Sequence, residues 1–219
     1  MKLLVAIPAY NEDQVIGGVI DDIKKEGYKH ILVVDDASSD DTAIISAKRG
    51  AQVLKHRQNK GAGGATRTAL RYAFNNDFDF VVLMDADGQH DPKDIAGLTK
   101  YKDFDVVLGY RKLRKMPFTK KIANITGNII TWIFFGLYVK DSQSGFKMLN
   151  KKAMSKIKIT FERYEFCSEI IGEIKRNHLR YKQVPIKTIY TEYSEGKRYQ
   201  NIFNGFKMVY RIIQNKLKK

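Results

Sequence analysis

Two carboxylates one residue apart, Asp85 and Asp87, follow a run of four apolar residues, Val81 to Met84. If that run is a strand, its alternation sends residues i and i+2 to the same side, carrying both carboxylates to one mouth. Two like-charged oxygen ligands suit a hard cation such as Mg2+ or Mn2+, and such a cation can bridge a diphosphate. Gln89 offers a further oxygen two residues on. A second acidic pair, Asp35-Asp36, ends the apolar segment His30 to Val34 and can accept from the N–H groups of a base or the hydroxyls of a ribose. Tyr10 can lie against a base, and Glu12 can accept from it. Each feature alone also reads as ordinary structure: a solvated acidic turn, a helix N-cap, a strand-to-helix loop.

The elements that must position these residues follow from hydrophobic period. Leu3 to Pro8 reads as a buried strand. From Asn11 to Lys25, Val15, Ile16, Val19, Ile20 and Ile23 recur at helical spacing. His30 to Val34 is a second strand. A helix starts at Asp40-Asp41-Thr42 and runs to about Arg49, and Ala51 to Lys55 is a short strand. Asn59 to Gly64 is expected to be a glycine-rich turn into a helix from Ala65 to about Phe74. Phe80 to Met84 and Asp105 to Leu108 are strands. This alternation predicts an α/β domain with a mainly parallel sheet. Ligands bind beyond the carboxyl ends of such strands, so Tyr10-Asn11-Glu12, Asp35-Asp36 and Asp85-Ala86-Asp87 should converge. Further on, Lys112 to Lys121 is expected to be a basic loop. Ile122 to Tyr138 is an apolar helix, Glu165 to Asn177 a helix and Tyr181 to Tyr190 a strand. Thr191 to Tyr199 is polar, and a basic amphipathic helix is expected from Asn201 onward. No linker marks a second domain within residues 1–219.

Charge is divided unevenly. The formal total is +15. Residues 1–110 carry 14 Lys/Arg against 17 Asp/Glu, while residues 111–219 carry 25 against 7. The basic half suggests an anionic partner: lipid headgroups, a phosphorylated substrate or nucleic acid. A single cysteine, Cys167, excludes an intrachain disulfide framework, and four scattered histidines give no zinc spacing. The apolar run after Lys2 is too short for a signal-peptide core. The longest apolar run, Ile129 to Val139, would cover about half of a bilayer core as a helix.

Four strings taken together are specific: Ile7-Pro8-Ala9-Tyr10-Asn11-Glu12, Val33-Val34-Asp35-Asp36-Ala37-Ser38, Asn59-Lys60-Gly61 and Asp85-Ala86-Asp87-Gly88-Gln89-His90. In order and spacing they resemble inverting glycosyltransferase family 2, which implies a GT-A fold. Gly109-Tyr110-Arg111, Ser144-Gly145-Phe146-Lys147 and Val184-Pro185-Ile186 narrow the resemblance to the dolichol-phosphate mannose synthase branch. That branch moves mannose from GDP-mannose to a polyprenyl phosphate. The resemblance implies that Pro8, Tyr10, Glu12, Val34 and Asp36 bind the nucleoside. Asp85 and Ala86 would sit against ribose and diphosphate, and Asp87 and Gln89, with Asp85, would hold Mg2+ or Mn2+. Arg111 would meet phosphate, and Lys120 and Asn124 would hold the acceptor phosphate. Two departures stand out. The loop from Arg111 to Lys120 is short, and the late Arg-x-x-Gly-x-Ser-Lys segment is replaced by Glu192 to Arg198, where Lys197 or Arg198 could substitute.

The resulting expectation is a metal-dependent hexosyltransferase with a nucleotide-sugar donor, GDP-mannose favoured and a UDP-sugar open. Its acceptor would be a polyprenyl phosphate met at an anionic membrane surface, on the cytoplasmic inner face, with room for an integral-membrane partner protein. Residues 1–110 would bind nucleotide and metal, and residues 111–219 would form the acceptor side. Arg111 is expected to act on phosphate rather than on fold. A soluble glycan acceptor is the alternative; it would need a carboxylate base, for which Asp141, Glu165 and Glu169 are candidates. A nucleic-acid-binding module is disfavoured, because it leaves the four strings unexplained.

Overall fold

The computed structural model describes residues 1–113, 118–163 and 165–189, with the side chains of 118–120 excepted. The expected polar stretch after Tyr190, the C-terminal helix, Lys197, Arg198 and the side chain of Lys120 lie outside the described residues.

The first half alternates as anticipated. β1 (Leu3–Ala9), α1 (Asp13–Lys25), β2 (Ile31–Asp35), α2 (Thr42–Lys48), β3 (Gln52–Lys55), α3 (Gly61–Asn75) and β4 (Phe80–Leu83) follow in turn. Then come α4 (Asp94–Thr99), β5 (Val106–Arg111), α5 (Phe118–Phe135), β6 (Lys147–Asn150), α6 (Lys151–Lys156), α7 (Phe166–Arg176) and β7 (Tyr181–Ile186). The strands form one seven-stranded sheet in the order β3-β2-β1-β4-β6-β5-β7. All neighbours are parallel except β6, which runs antiparallel to both β4 and β5.

Strand period decides which face each side chain serves. Along β1, Leu4 and Ala6 join a core with Ala65, Ala69 and Leu70 of α3 and Ile170, Ile171 and Ile174 of α7. Leu3, Val5 and Ile7 join the opposite core with Ile16, Ile20 and Ile23 of α1 and Ile95 and Leu98 of α4. Both faces are covered, so the central strands read as unbroken apolar runs rather than as alternation. Each such side chain removed from water contributes about 1.5–3 kcal/mol.

Four boundaries differ from the sequence expectation. The glycine segment is helical from Gly61, because the backbone of Phe161–Glu162 packs onto it. Gly63 N–H donates to Glu162 O at 2.7 Å and Gly64 N–H to the same oxygen at 3.3 Å. A side chain at Gly63 would overlap Phe161 O. The expected basic loop is helical from residue 118 onward. β7 ends at Ile186, beyond which a bridge pairs Thr188 with His90. β4 stops at Leu83, so Asp85 and Asp87 sit in a turn and not on a strand.

Asp105 ties the edge of the sheet away from the β5 carboxyl end. Its carboxylate accepts from Arg180 N at 2.8 Å before β7, Asn150 Nδ2 at 3.1 Å after β6, and Lys152 Nζ at 3.1 Å. Burial works to raise this carboxyl, but those donors hold it below the ordinary value. A depressed carboxylate contributes stability that is present above its unfolded pKa and lost as pH falls through the folded one. Asp105→Ala should lower stability by about 2–4 kcal/mol, read as a shift in urea midpoint, and should shallow the acid limb of the stability–pH curve.

Candidate active site

The strand order places β2 and β4 on either side of β1, so crossover connections leave β1 in opposite directions and open a crevice at the carboxyl ends. The three strand-end motifs meet there. Two of their turns interlock: Asn11 N donates to Ser38 Oγ at 3.0 Å, and Ser39 N donates to Asn11 Oδ1 at 3.0 Å. Asn11 and Ala37 adopt φ of 54° and 64°, left-handed values that cost a non-glycine residue about 1 kcal/mol or more. Strain of this kind persists only where surrounding contacts over-determine it.

Around the ends of β1 and β2, Tyr10 is exposed, Pro8 and Glu12 are half-buried, and Val34 is buried inside β2. Val34 therefore serves packing and can offer a ligand only its backbone. Asp36 is buried, and its Oδ1 accepts from His56 Nδ1 at 2.7 Å and from Lys60 N at 2.9 Å. Asp35 is wholly buried; its Oδ2 has no hydrogen bond among the described residues and faces Lys55 Nζ at 3.4 Å.

At the centre, Asp87 closes its own turn. Its Oδ1 accepts from Gln89 N at 3.0 Å and its Oδ2 from Gln89 Nε2 at 2.7 Å. Gln89 thus presents its amide nitrogen to Asp87, where the sequence argument had offered its oxygen. Ala86 is buried. The Asp85 side chain is half exposed along the crevice yet sunk among protein groups. That desolvation raises its carboxyl, opposed by Lys147 and Arg111 and reinforced by Asp141. Gly145 packs flat against the Asp85 carboxylate, which any side chain there would overlap.

His90 lies beneath, 5.0 Å from the Phe146 ring. Asp85 N donates to His90 Nδ1 at 3.2 Å, which assigns the ring proton to Nε2. Burial pushes this imidazole down to about 4, so it is neutral near pH 7 and forms no ion pair with Asp85, despite Nε2 lying 3.6 Å from Oδ2.

The donor set suits a hard divalent cation in kind. Asp85 and Asp87 are the carboxylates at this point, and no group of three His, Cys, Asp or Glu gathers for a metal among the described residues. A cation held by these two carboxylates would need further oxygen ligands, and Mg2+ ordinarily keeps several waters.

The surroundings of Arg111 turn on a buried pair. Asp141 Oδ2 accepts from Arg111 Nε at 2.7 Å and Arg111 N at 3.1 Å, while Oδ1 accepts from Arg111 Nη2 at 3.0 Å and Asn124 Nδ2 at 2.6 Å. Burial alone would raise Asp141, but the guanidinium and the amide hold it below the usual carboxylate range. Asn124 is buried and engaged with Asp141 and Asn128, so it stands behind Arg111 instead of at the surface. Of the proposed bases, Asp141 is committed to Arg111. Glu169 holds a loop, accepting from Thr160 N at 2.8 Å and Phe161 N at 3.0 Å. Glu165 is buried at the start of α7.

In the sequence His56 carries no signature, and His90 and Lys147 appear only as members of longer motifs. Lys147 is buried at the start of β6, and its ammonium donates to Ser144 O. A buried lysine reads as surface charge in a sequence; only the reversal of β6 brings it beside Asp85.

A mostly parallel sheet with one antiparallel insertion, and acidic turns gathered at its switch point, define a GT-A glycosyltransferase fold. The chain matches the family described as Glycosyl transferase family 2 over residues 4–158, and it belongs to that family. It is 38% identical over 244 residues to the UDP-N-acetylglucosamine–dolichyl-phosphate N-acetylglucosaminyltransferase of Methanococcus voltae, covering 99% of this chain and 97% of that protein. It is 29% identical to an undecaprenyl-phosphate mannosyltransferase of Micrococcus luteus, over 90% of this chain and 87% of the other. Among solved structures it resembles glucosyl-3-phosphoglycerate synthase from Mycobacterium tuberculosis, crystallised with Mn2+, UDP and glucosyl-3-phosphoglycerate. The TM-score is 0.71 at 19% identity, covering 99% of this chain and 79% of that one.

Arg111 carries a structural role as well as any role on phosphate. Arg111→Ala leaves the Asp141 carboxylate buried without its guanidinium partner and should cost about 3–5 kcal/mol of stability. The double variant Arg111→Ala/Asp141→Asn should recover part of that loss, as a two-variant unfolding series would measure.

Proposed function

We propose that this glycosyltransferase moves a sugar from a nucleoside diphosphate donor onto the phosphate of a polyprenyl lipid. The observation that carries the reading is a cavity of about 310 Å³ beside Arg111. Leu113, Ile125, Ile129 and Tyr138 give it apolar walls, and Arg111 and Lys140 give it positive charge. Apolar walls with cations suit a lipid that ends in an anion. The relatives named for dolichyl-phosphate and undecaprenyl-phosphate acceptors support the same assignment. For the donor, the more similar of the two favours UDP-N-acetylglucosamine over GDP-mannose.

The chemistry then divides among residues. Asp36, Tyr10 and Glu12 receive the nucleoside. When bound, Mg2+ or Mn2+ held at Asp85 and Asp87 stabilises charge on the departing nucleoside diphosphate. Gly145 lets the chain pass close to Asp85, and Arg111, oriented by Asp141 and Asn124, presents fixed positive charge between donor and acceptor. The acceptor phosphate is already an anion and needs no strong general base, which agrees with Asp141 and Glu169 being committed elsewhere.

The acceptor also bears on location. No helix among the described residues is long and apolar enough to cross a membrane. α5 is polar inside and apolar outside. Asn124, Asn128 and Thr131 are buried, while Ile122, Ile125, Ile129, Trp132 and Ile133 are exposed. Those positions recur at helical spacing on one face. Exposed Lys121 and Lys140 flank this face. An interfacial helix combines such residues, so we read α5 as lying on an anionic bilayer surface at the inner face of the membrane.

Transfer should be measured with UDP-N-acetylglucosamine, other UDP-sugars and GDP-mannose, using phytanyl phosphate against a soluble glycan acceptor. Transfer to the glycan alone would overturn the assignment. Asp87→Ala should keep the melting temperature and lose metal-dependent transfer by about 100-fold or more. The protein should sediment with anionic liposomes at low salt. Trp132→Glu/Ile133→Glu should abolish that sedimentation without unfolding the protein, and indifference of the parent protein to liposomes would exclude the surface-bound reading.

A further inference from the structure

We infer that His56 is a positioning residue for nucleoside recognition, acting through Asp36. The inference rests on the reading above in one respect, that Asp36 meets the nucleoside of the donor. His56 follows β3 directly, and its N–H donates to Asp35 O at 2.8 Å, which continues the β2–β3 pairing by one residue. Its ring lies between two elements. Nδ1 meets Asp36 Oδ1 at 2.7 Å, and Nε2 meets Thr68 Oγ1 of α3 at 2.9 Å. The Thr68 hydroxyl lies within reach of both Nε2 and Gly64 O, the latter at 3.1 Å, and its one proton goes to Nε2 when that nitrogen is the unprotonated one. The ring is only 8% exposed. An ionised carboxylate can only accept, so Nδ1 carries the proton and donates to Asp36.

Held at both nitrogens and at its backbone, His56 cannot swing toward a substrate. What it can do is fix a carboxylate. Both hydrogen bonds to the Asp36 side chain among the described residues, from His56 and from Lys60 N, fall on Oδ1. Oδ2 is thereby given a set direction without a donor of its own among them. A carboxylate with one oxygen clamped offers the other as a directed acceptor for base N–H groups or ribose hydroxyls. Without His56, Lys60 N–H alone would hold Oδ1, and the carboxylate could rotate about its Cβ–Cγ bond. The Asn59 side chain adds a contact to the Asp36 backbone carbonyl at 3.3 Å and does not restrain the carboxylate.

The test measures binding of UDP, GDP and inorganic pyrophosphate, each with Mn2+, by calorimetry on the full chain. Pyrophosphate reports the diphosphate and metal end without a nucleoside. His56→Leu should weaken the preferred nucleoside diphosphate by about tenfold and change pyrophosphate by less than about twofold. In turnover the donor KM should rise by a similar factor, with kcat within about threefold. His56→Asn should restore nucleotide binding to within about threefold, since its Nδ2 can donate from the place of Nδ1. Thr68→Val, which removes the outer partner, should weaken the nucleotide by a smaller factor and spare pyrophosphate; this arm decides the matter if His56→Leu does not fold. Equal loss of nucleotide and pyrophosphate would make His56 merely structural, and unchanged nucleotide binding in both His56→Leu and Thr68→Val would overturn the role outright. If the parent protein binds pyrophosphate but neither UDP nor GDP, the donor reading itself fails, and this inference with it.

Discussion

The part of the site around Arg111 depends on one buried ion pair. Asp141 receives three donors from Arg111 and one from Asn124, and so joins the end of β5, the inner face of α5 and the segment leading into β6. The polar chain continues inward. Asn128 Nδ2 donates to Asn124 Oδ1 and to Lys140 O, and Ser142 N donates to Asn128 Oδ1. Burying a charge without hydrogen-bond partners is costly, so this network favours a single arrangement of three elements. Arg111 is held in a defined orientation, which is what a phosphate-binding cation needs if it is to act without reorganising.

The part of the site around Asp36 has a different anchor. The N-terminus of α3 would ordinarily attract an anion, since its first N–H groups have no helical partner. Here Glu162 O occupies those groups, and Glu169 in turn fixes the backbone of Thr160 and Phe161. The glycines of α3 are therefore a docking surface for a loop about a hundred residues away, not a cradle for phosphate. With that end of α3 pinned, Lys60 N–H and Thr68 stay at fixed distance from Asp36 and His56. The two halves meet at β6, whose reversal brings Gly145 and Lys147 against Asp85.

α5 inverts the usual order of a surface helix. Its polar residues face Asp141, Ser142 and Ser168, because the ion pair and its amides need partners. The apolar residues are left on the outside. The same network that positions Arg111 therefore leaves an apolar surface beside the cavity at Arg111, so the orientation of Arg111 and the exposed apolar face of α5 have a common physical origin.

Local pattern determined much of this protein. The strand-end carboxylates, their convergence at the switch point of an α/β sheet, and the helices of the first half follow from hydrophobic period and from residues that end strands. Family membership followed because four short motifs occurred in order. What the sequence alone could not decide involved partners remote along the chain. Gly61 to Gly64 read as a turn because glycine disfavours helix, and only the arrival of Phe161 and Glu162 explains why a helix there must lack side chains. Asp85 and Asp87 read as strand neighbours, but the turn beyond Leu83 and the amide of Gln89 set their directions. Asn124 read as a surface residue open to a phosphate and lies buried behind Arg111, hydrogen-bonded to Asp141. The apolar run of α5 carried no sign of which face would be buried, since that depended on where Asp141 came to rest. His56 sits in a stretch with no chemical signature and gains a role only when β3 and α3 bring it between Asp36 and Thr68. Period and composition act over a few residues, whereas these contacts, apart from the local Asp87–Gln89 turn, span twelve to about a hundred, so only tertiary structure could decide them.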